Sequence, residues 1–426
     1  MAKILFATVP LSGHVNPGIP LAKRLTELGH EVWWYCGSAF RDRISASGAR
    51  FISFDYAPEF NDQTVAQLHG PVPTRSLLAN AAFYARYVFF QPMPAYYLDL
   101  KKILSSFNAS ILVSDEWFSG GIPFSEKKIL PWVIYGNSPL MMMTANMPAP
   151  GSGLMPDNSI YGKHRDFLVK LIARRLFMPI QHHINQIRKD VGLGKMRYCF
   201  FEQNMRNAAL CLKFNTRAFE FPYPQVPDNL YFVGPVLPSD QNGRDFPWLE
   251  NLPAAHKDVV LITQGSVDVY DIRKLIVPAL RALKNENILT LVSTGGKNVE
   301  ELRKQFKGEN VIIEPYIPYA KVMDHVKLMI TNGGFGGVST ALFHGVPLIV
   351  AGNSEDKPEV ASRVVYTGCG IDMNTGKPSP AKLRKAVMQI LEEASYREAA
   401  MKISEDYRKH NAVDESIFLM RQLLHR

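Results

Sequence analysis

The chain has 426 residues, 46% apolar and 20% charged, with 29 glycines and 29 prolines; this excludes disordered, collagen-like and low-complexity proteins. Lys and Arg outnumber Asp and Glu by 48 to 39, a formal net charge of +9, which favours an anionic partner. The basic residues are dispersed, however, with no run longer than a pair, so no nucleic-acid partner is expected.

The first fifty residues are strongly patterned. Lys3 to Val9 is an apolar run of buried-strand length, followed by the turn Pro10 to His14. It lacks the small-residue cleavage site of a secretory leader and reads as structure. Asn16 to Leu28 carries Ile19, Leu21, Leu25 and Leu28 at roughly helical spacing. Asn16 before Pro17 suits a helix start, and Gly29 a helix end. Glu31 to Cys36 is then a second strand, giving a βαβ unit and hence a parallel sheet.

Ile111 to Asp115 and Trp132 to Tyr135 read as later strands of that sheet. An aromatic helical stretch, Phe83 to Leu100, and a basic one, His164 to Asp190, accompany them. Prolines then replace periodicity over Phe221 to Pro227 and Val233 to Pro238, the expected domain boundary. A second βα series follows, with strands at Asp258 to Thr263, Ile288 to Ser293, Val311 to Ile313, Leu328 to Thr331 and Pro347 to Ala351. Helices are expected over Asp271 to Leu283, Val338 to Phe343 and from Pro380 onward. The expected fold is therefore α/β, with two open parallel-sheet domains. Residues 1–220 form the first, 221–240 a linker, 241–405 the second and 406–426 a C-terminal helix.

Four cysteines (Cys36, Cys199, Cys211, Cys369) lie far apart without a C-x-x-C pair. Neither a metal site nor a disulfide framework is expected, and a reducing cytoplasmic compartment fits. No stretch reaches the length and apolarity of a membrane-spanning helix, so stable membrane insertion is not expected.

Open α/β sheets bind ligands at the carboxyl ends of their strands. Gly13-His14 follows the first strand, and an imidazole there is a candidate general base. Asp115 closes another strand and could orient that imidazole, or cap the helix near Ser119. Gly13 and Gly18 do not make a dinucleotide fingerprint, which argues against a nicotinamide or flavin cofactor in this half. In the second half, Asn332 to Gly337 holds four glycines between a strand and a helix, a backbone cradle suited to a phosphate. Gly265-Ser266 and Gly295-Gly296 add donors at the same edge. Glu355-Asp356-Lys357 suits sugar hydroxyls, and Tyr316 could stack on a flat base.

The block Leu328 to Pro347, with Glu355 to Arg363, resembles the nucleotide-sugar box of family 1 glycosyltransferases, enzymes of the GT-B fold that include bacterial macrolide and plant natural-product glucosyltransferases. Gly13 to Pro17 resembles their catalytic-histidine turn, and Phe232 to Pro235 their approach to the linker. The resemblance implies two Rossmann-like domains facing across a cleft, and an inverting, metal-independent sugar transfer from a nucleotide diphosphate. UDP-glucose is the expected co-substrate, without further cofactor. His14 would be the base and Asp115 its partner. Gly13, Ser266, Tyr316, Ile317, Asn332, Gly334, Gly336, Gly337, Val338, Asp356 and Lys357 would meet the donor. Three positions depart from the family pattern: Asn332 replaces the usual His, Thr340 a common Glu, and Lys357 the usual Gln.

The aromatic and Met-rich texture around Phe83, Tyr84, Tyr87 and Met142 suggests an apolar acceptor site. The acceptor would be a hydroxylated hydrophobic small molecule, such as a polyketide, flavonoid, terpenoid or sterol. Competing readings are a sugar-nucleotide epimerase, a lipid glycosyltransferase at the membrane surface using the basic helix, and a non-catalytic nucleotide-sugar-binding protein.

Overall fold

A computed structural model describes residues 1–65, 67, 77–238, 246–252, 258–265 and 271–424. The chain forms two compact units. The first comprises Met1–Thr216, Pro222–Val236 and His410–Arg426, the second Arg217–Phe221 and Leu237–Lys409.

The first unit is built on seven parallel strands: β1 (Lys3–Ala7), β2 (Glu31–Tyr35), β3 (Arg50–Ile52), β4 (Ile111–Asp115), β5 (Trp132–Gly136), β6 (Leu210–Lys213) and β7 (Leu230–Phe232). Their order is 3-2-1-4-5-6-7. β4 and β5 are buried along their whole length, as continuous apolar runs must be when helices cover both faces of a parallel sheet. The sequence pattern missed β3, β6 and β7. Each has only three or four residues, too few to show a period.

Helical structure begins earlier than expected after β1. Ser12–Val15, Asn16–Gly18 and Ile19–Glu27 follow one another without a break. Leu11, not Asn16, is the residue that starts it, so His14 lies within the first turn. The aromatic stretch is helical over Leu77–Phe83 and Met93–Ser106, with a π-helical segment, Tyr84–Phe90, between them. The basic helix runs from Ile160 to Asp190 with Pro179 inside it.

The second unit has six parallel strands: β8 (Asp258–Thr263), β9 (Ile288–Ser293), β10 (Val311–Glu314), β11 (Val326–Thr331), β12 (Leu348–Val350) and β13 (Gly370–Asp372), ordered 10-9-8-11-12-13. Successive residues of a strand face opposite layers. Val259 and Leu261 join one core with Leu342, Val360 and Tyr407, while Val260 and Ile262 join the other with Leu280, Leu383 and Ile390.

Within the passage expected as a linker, Pro222–Val236 supplies β7 and belongs to the first unit, while Arg217–Phe221 and Leu237–Lys409 belong to the second. There Arg363, wholly buried, donates to Glu220 at 2.5 Å and to Glu359 at 3.0 Å. Residues from His410 return to the first unit, where Ala412, Ile417 and Met420 enter the core beside Ile19 and Leu25. Among the described residues, no helix is long and apolar enough to cross a membrane.

Candidate active site

Strand order reverses between β1 and β4 in the first sheet and between β8 and β11 in the second. Crevices open at the carboxyl ends of such strand pairs. His14 follows β1 and Asp115 ends β4; Gly265 follows β8 and Asn332 follows β11.

The first sheet brings His14 and Asp115 into contact, Nδ1 to Oδ1 at 2.8 Å. Asp115 also accepts from the Val9 N–H at 2.9 Å and the Trp117 N–H at 3.0 Å, so its carboxylate is fixed from three directions. A proton on Nδ1 directed at Asp115 leaves Nε2 as an acceptor. The Tyr135 hydroxyl donates to the His14 carbonyl at 2.8 Å and anchors the turn. Gly18 makes room for it, since a Cβ there would lie 2.5 Å from that hydroxyl. Burial alone would lower the His14 pKa. The charge and hydrogen bond of Asp115, with the charges of Glu116 and Asp62, outweigh it and raise the value above the ordinary imidazole range.

Rings frame this histidine. Phe89 lies 5.4 Å from it and stacks on Trp117 at 4.9 Å; Phe201 meets Trp117 edge-on at 5.9 Å. Of the residues expected to meet an acceptor, Tyr84 reaches Phe89 at 6.0 Å, and Tyr87 packs against His183. Phe83 and Met142, the other two, are buried. The ring against His14 is that of Phe89, on which Trp117 stacks. Beside them, Glu116 accepts from buried Lys213 at 2.8 Å and from Ser138 at 2.5 Å. Its sequence signal was adjacency to Asp115; Lys213 and Ser138 are distant in sequence and had none.

At the second crevice the helix Phe335–Phe343 opens three residues before the expected Val338, with Gly334 preceding it. Gly336 and Gly337 therefore lie in its first turn, where backbone N–H groups have no partner within the helix. Val338 and Ile317 put their side chains into the core, leaving only their backbones for any ligand contact. Gly333 has φ +88°, and a Cβ there would lie 2.6 Å from Val350. A Cβ on Gly334 would meet only Asn332, at 3.8 Å.

Asn332, expected as a phosphate donor, is engaged within the fold. It is buried, its amide donates to the Gln264 carbonyl at 2.6 Å, and its Oδ1 accepts from the Gly334 N–H at 3.3 Å. It ties the β8 and β11 turns together. Thr340 donates to the Gly336 carbonyl at 2.8 Å and is likewise engaged within the fold.

Tyr316 is half-exposed, and its hydroxyl donates to the Gly295 carbonyl at 3.3 Å. Lys357 is buried; it pairs with Glu355 and donates to Ser354 at 3.2 Å. Asp356 is partly exposed at the start of the helix Lys357–Tyr366. Gly13 is exposed, with open space around its Cα. Ser266 lies outside the described residues.

Two parallel sheets of this topology define the GT-B class. The glycotransferase of kitacinnamycin superposes with a TM-score of 0.75 at 18% identity, covering 99% of this chain and 98% of that one. Residues 274–416 match the family described as Erythromycin biosynthesis protein CIII-like, C-terminal domain. The 4'-demethylrebeccamycin synthase of Lentzea aerocolonigenes is 34% identical, over 99% of this chain and 100% of that protein. UDP-glucosyltransferase A1 of Starmerella bombicola is 28% identical, over 97% of this chain and 91% of its own length. The chain belongs to the family 1 glycosyltransferases and is a glycosyltransferase.

Proposed function

We propose that the protein transfers a sugar, glucose from UDP-glucose, to a hydroxyl of a hydrophobic small molecule with inversion at the anomeric carbon. The observation that carries this reading is the partly buried His14–Asp115 pair with Nε2 left as an acceptor. Nε2 takes the acceptor proton as the acceptor oxygen attacks the anomeric carbon. The bond from that carbon to the diphosphate breaks, and the charge passes to the leaving diphosphate oxygen. The N–H groups at the start of Phe335–Phe343 and the dipole of that helix stabilise this charge, so the step needs no metal.

Tyr316 takes the base and Asp356 the sugar hydroxyls, while Lys357 supports the sugar site through Glu355. Phe89 and Trp117 supply the apolar wall for the acceptor, with Tyr84 behind them. The UDP-glucosyltransferase among the relatives supports the donor assignment. The test is His14→Ala. UDP binding, followed by calorimetry, should be unchanged while transfer falls by about 10²–10⁴-fold, the usual contribution of a general base. Undiminished transfer would remove His14 from the mechanism.

A further inference from the structure

The helix Ile160–Asp190 is built the wrong way round for a surface helix over its first five turns. Ala173, Phe177 and Ile180 face inward, Phe177 against the rings of Phe200 and Phe201, and the helix packs on Tyr84–Phe90 and Met93–Ser106. Yet Phe167, Leu168, Leu171, Ile172 and Met178 are each more than half exposed. Beyond Pro179 the same helix returns to the usual pattern, turning His182, Gln186 and Lys189 to solvent. Large apolar side chains grouped on one solvent face mark a binding surface.

The charges on that face have one sign. Lys163, Arg174 and Arg175 are exposed among the apolar residues. The only carboxylate before Asp190 is Asp166, which is buried and paired with Arg165 at 2.8 Å. Arg174 and Met178 also line an open cavity of about 680 Å³ with Lys189, Lys195, Arg197 and Tyr198. Its lining carboxylate, Glu202, pairs with Arg206 at 2.8 Å. An apolar stripe flanked by cations is the pattern of a helix that lies in a bilayer interface. A symmetric contact with a second copy would set these cations against themselves.

We infer that this face docks the protein on an anionic membrane surface. Phe167, Leu168, Leu171 and Ile172 enter the boundary of the acyl chains, while Arg174, Arg175 and the cations of the cavity meet lipid phosphates. The contact is interfacial adsorption without a spanning segment, and it is independent of the sugar-transfer reading.

The full chain is to be co-sedimented with vesicles of phosphatidylcholine alone and of phosphatidylcholine mixed with phosphatidylglycerol, at low and high salt. It should bind the mixed vesicles and be released by salt. Removing both charges in Arg174→Gln/Arg175→Gln should weaken binding by about thirtyfold, since each basic residue near an anionic surface contributes about fivefold. Leu168→Glu/Leu171→Glu should weaken it at least as much. All four positions are solvent-facing, and the salt response of the unmodified chain tests the proposal without any variant. Equal binding to both vesicle types, or binding to neither, overturns it. So does a dimer in solution that Leu171→Glu dissociates, which would give the face to a second copy.

Discussion

His14 sits between opposing electrostatic effects. Burial disfavours its charged form, and the Asp115 carboxylate at 2.8 Å together with the charges of Glu116 and Asp62 outweighs that effect. A raised folded-state pKa stabilises the protein fully below the ordinary value of 6.5, and that contribution is lost as pH rises through the raised value. Catalysis has the opposite slope, because a base must be neutral to accept a proton. The acidic limb of kcat/KM should therefore fall above pH 6.5 in the native protein. In Asp115→Asn the charge is gone and burial acts with less opposition, so the limb should move to lower pH. The rate should also drop by about 10²–10⁴-fold, since the amide no longer holds the same imidazole tautomer. A limb that stays in place would show that Asp115 does not set the ionisation of His14.

The turn joining β11 to its helix separates two jobs among adjacent glycines. Gly333 is required by the fold, through its left-handed backbone and the closeness of Val350. Gly333→Ala should cost about 2 kcal/mol of stability in denaturant unfolding. Gly334 has φ −62° and open space around it, so Gly334→Ala should leave stability unchanged. If a diphosphate lies against this backbone, the added methyl should weaken UDP binding by on the order of tenfold, the size of one lost hydrogen bond. Unchanged UDP affinity in Gly334→Ala would place the diphosphate elsewhere. The glycine-rich turn was legible because four glycines crowd between a strand and a helix. The occupation of Asn332 was not, since its partner Gln264 is 68 positions away. Phe89 lies in the aromatic stretch that the sequence shows, but its stacking partner Trp117 was hidden for the same reason as Gln264: a ring's neighbours across a sheet edge leave no local period. β1, β4 and β8 could be read because burial on both faces gives each an unbroken apolar run of three or more residues, whereas the three residues of β3 and of β7 carry no such signature.

Neither unit is a single stretch of chain. The first takes β7 and the helix Ala412–Leu424 from beyond residue 216, and the second takes Arg217–Phe221 from the other side of β7. Ending the chain at Lys409 removes Ile417 and Met420 from the first core. At about 1.5–3 kcal/mol for each buried side chain, this is a large part of a domain's net stability. Calorimetry of the truncated chain should show the first unit melting at lower temperature while the second is unaffected. An unaltered thermogram would mean that the terminal helix is dispensable.

The same threading constrains biosynthesis. A ribosome releases β1 to β6 long before it makes Ile417, so the hydrophobic face awaiting that helix stays uncovered while some two hundred further residues are translated, a period in which aggregation competes with folding. Slower elongation should lengthen this exposure and lower the soluble yield, whereas the second unit, complete by Lys409, can close first.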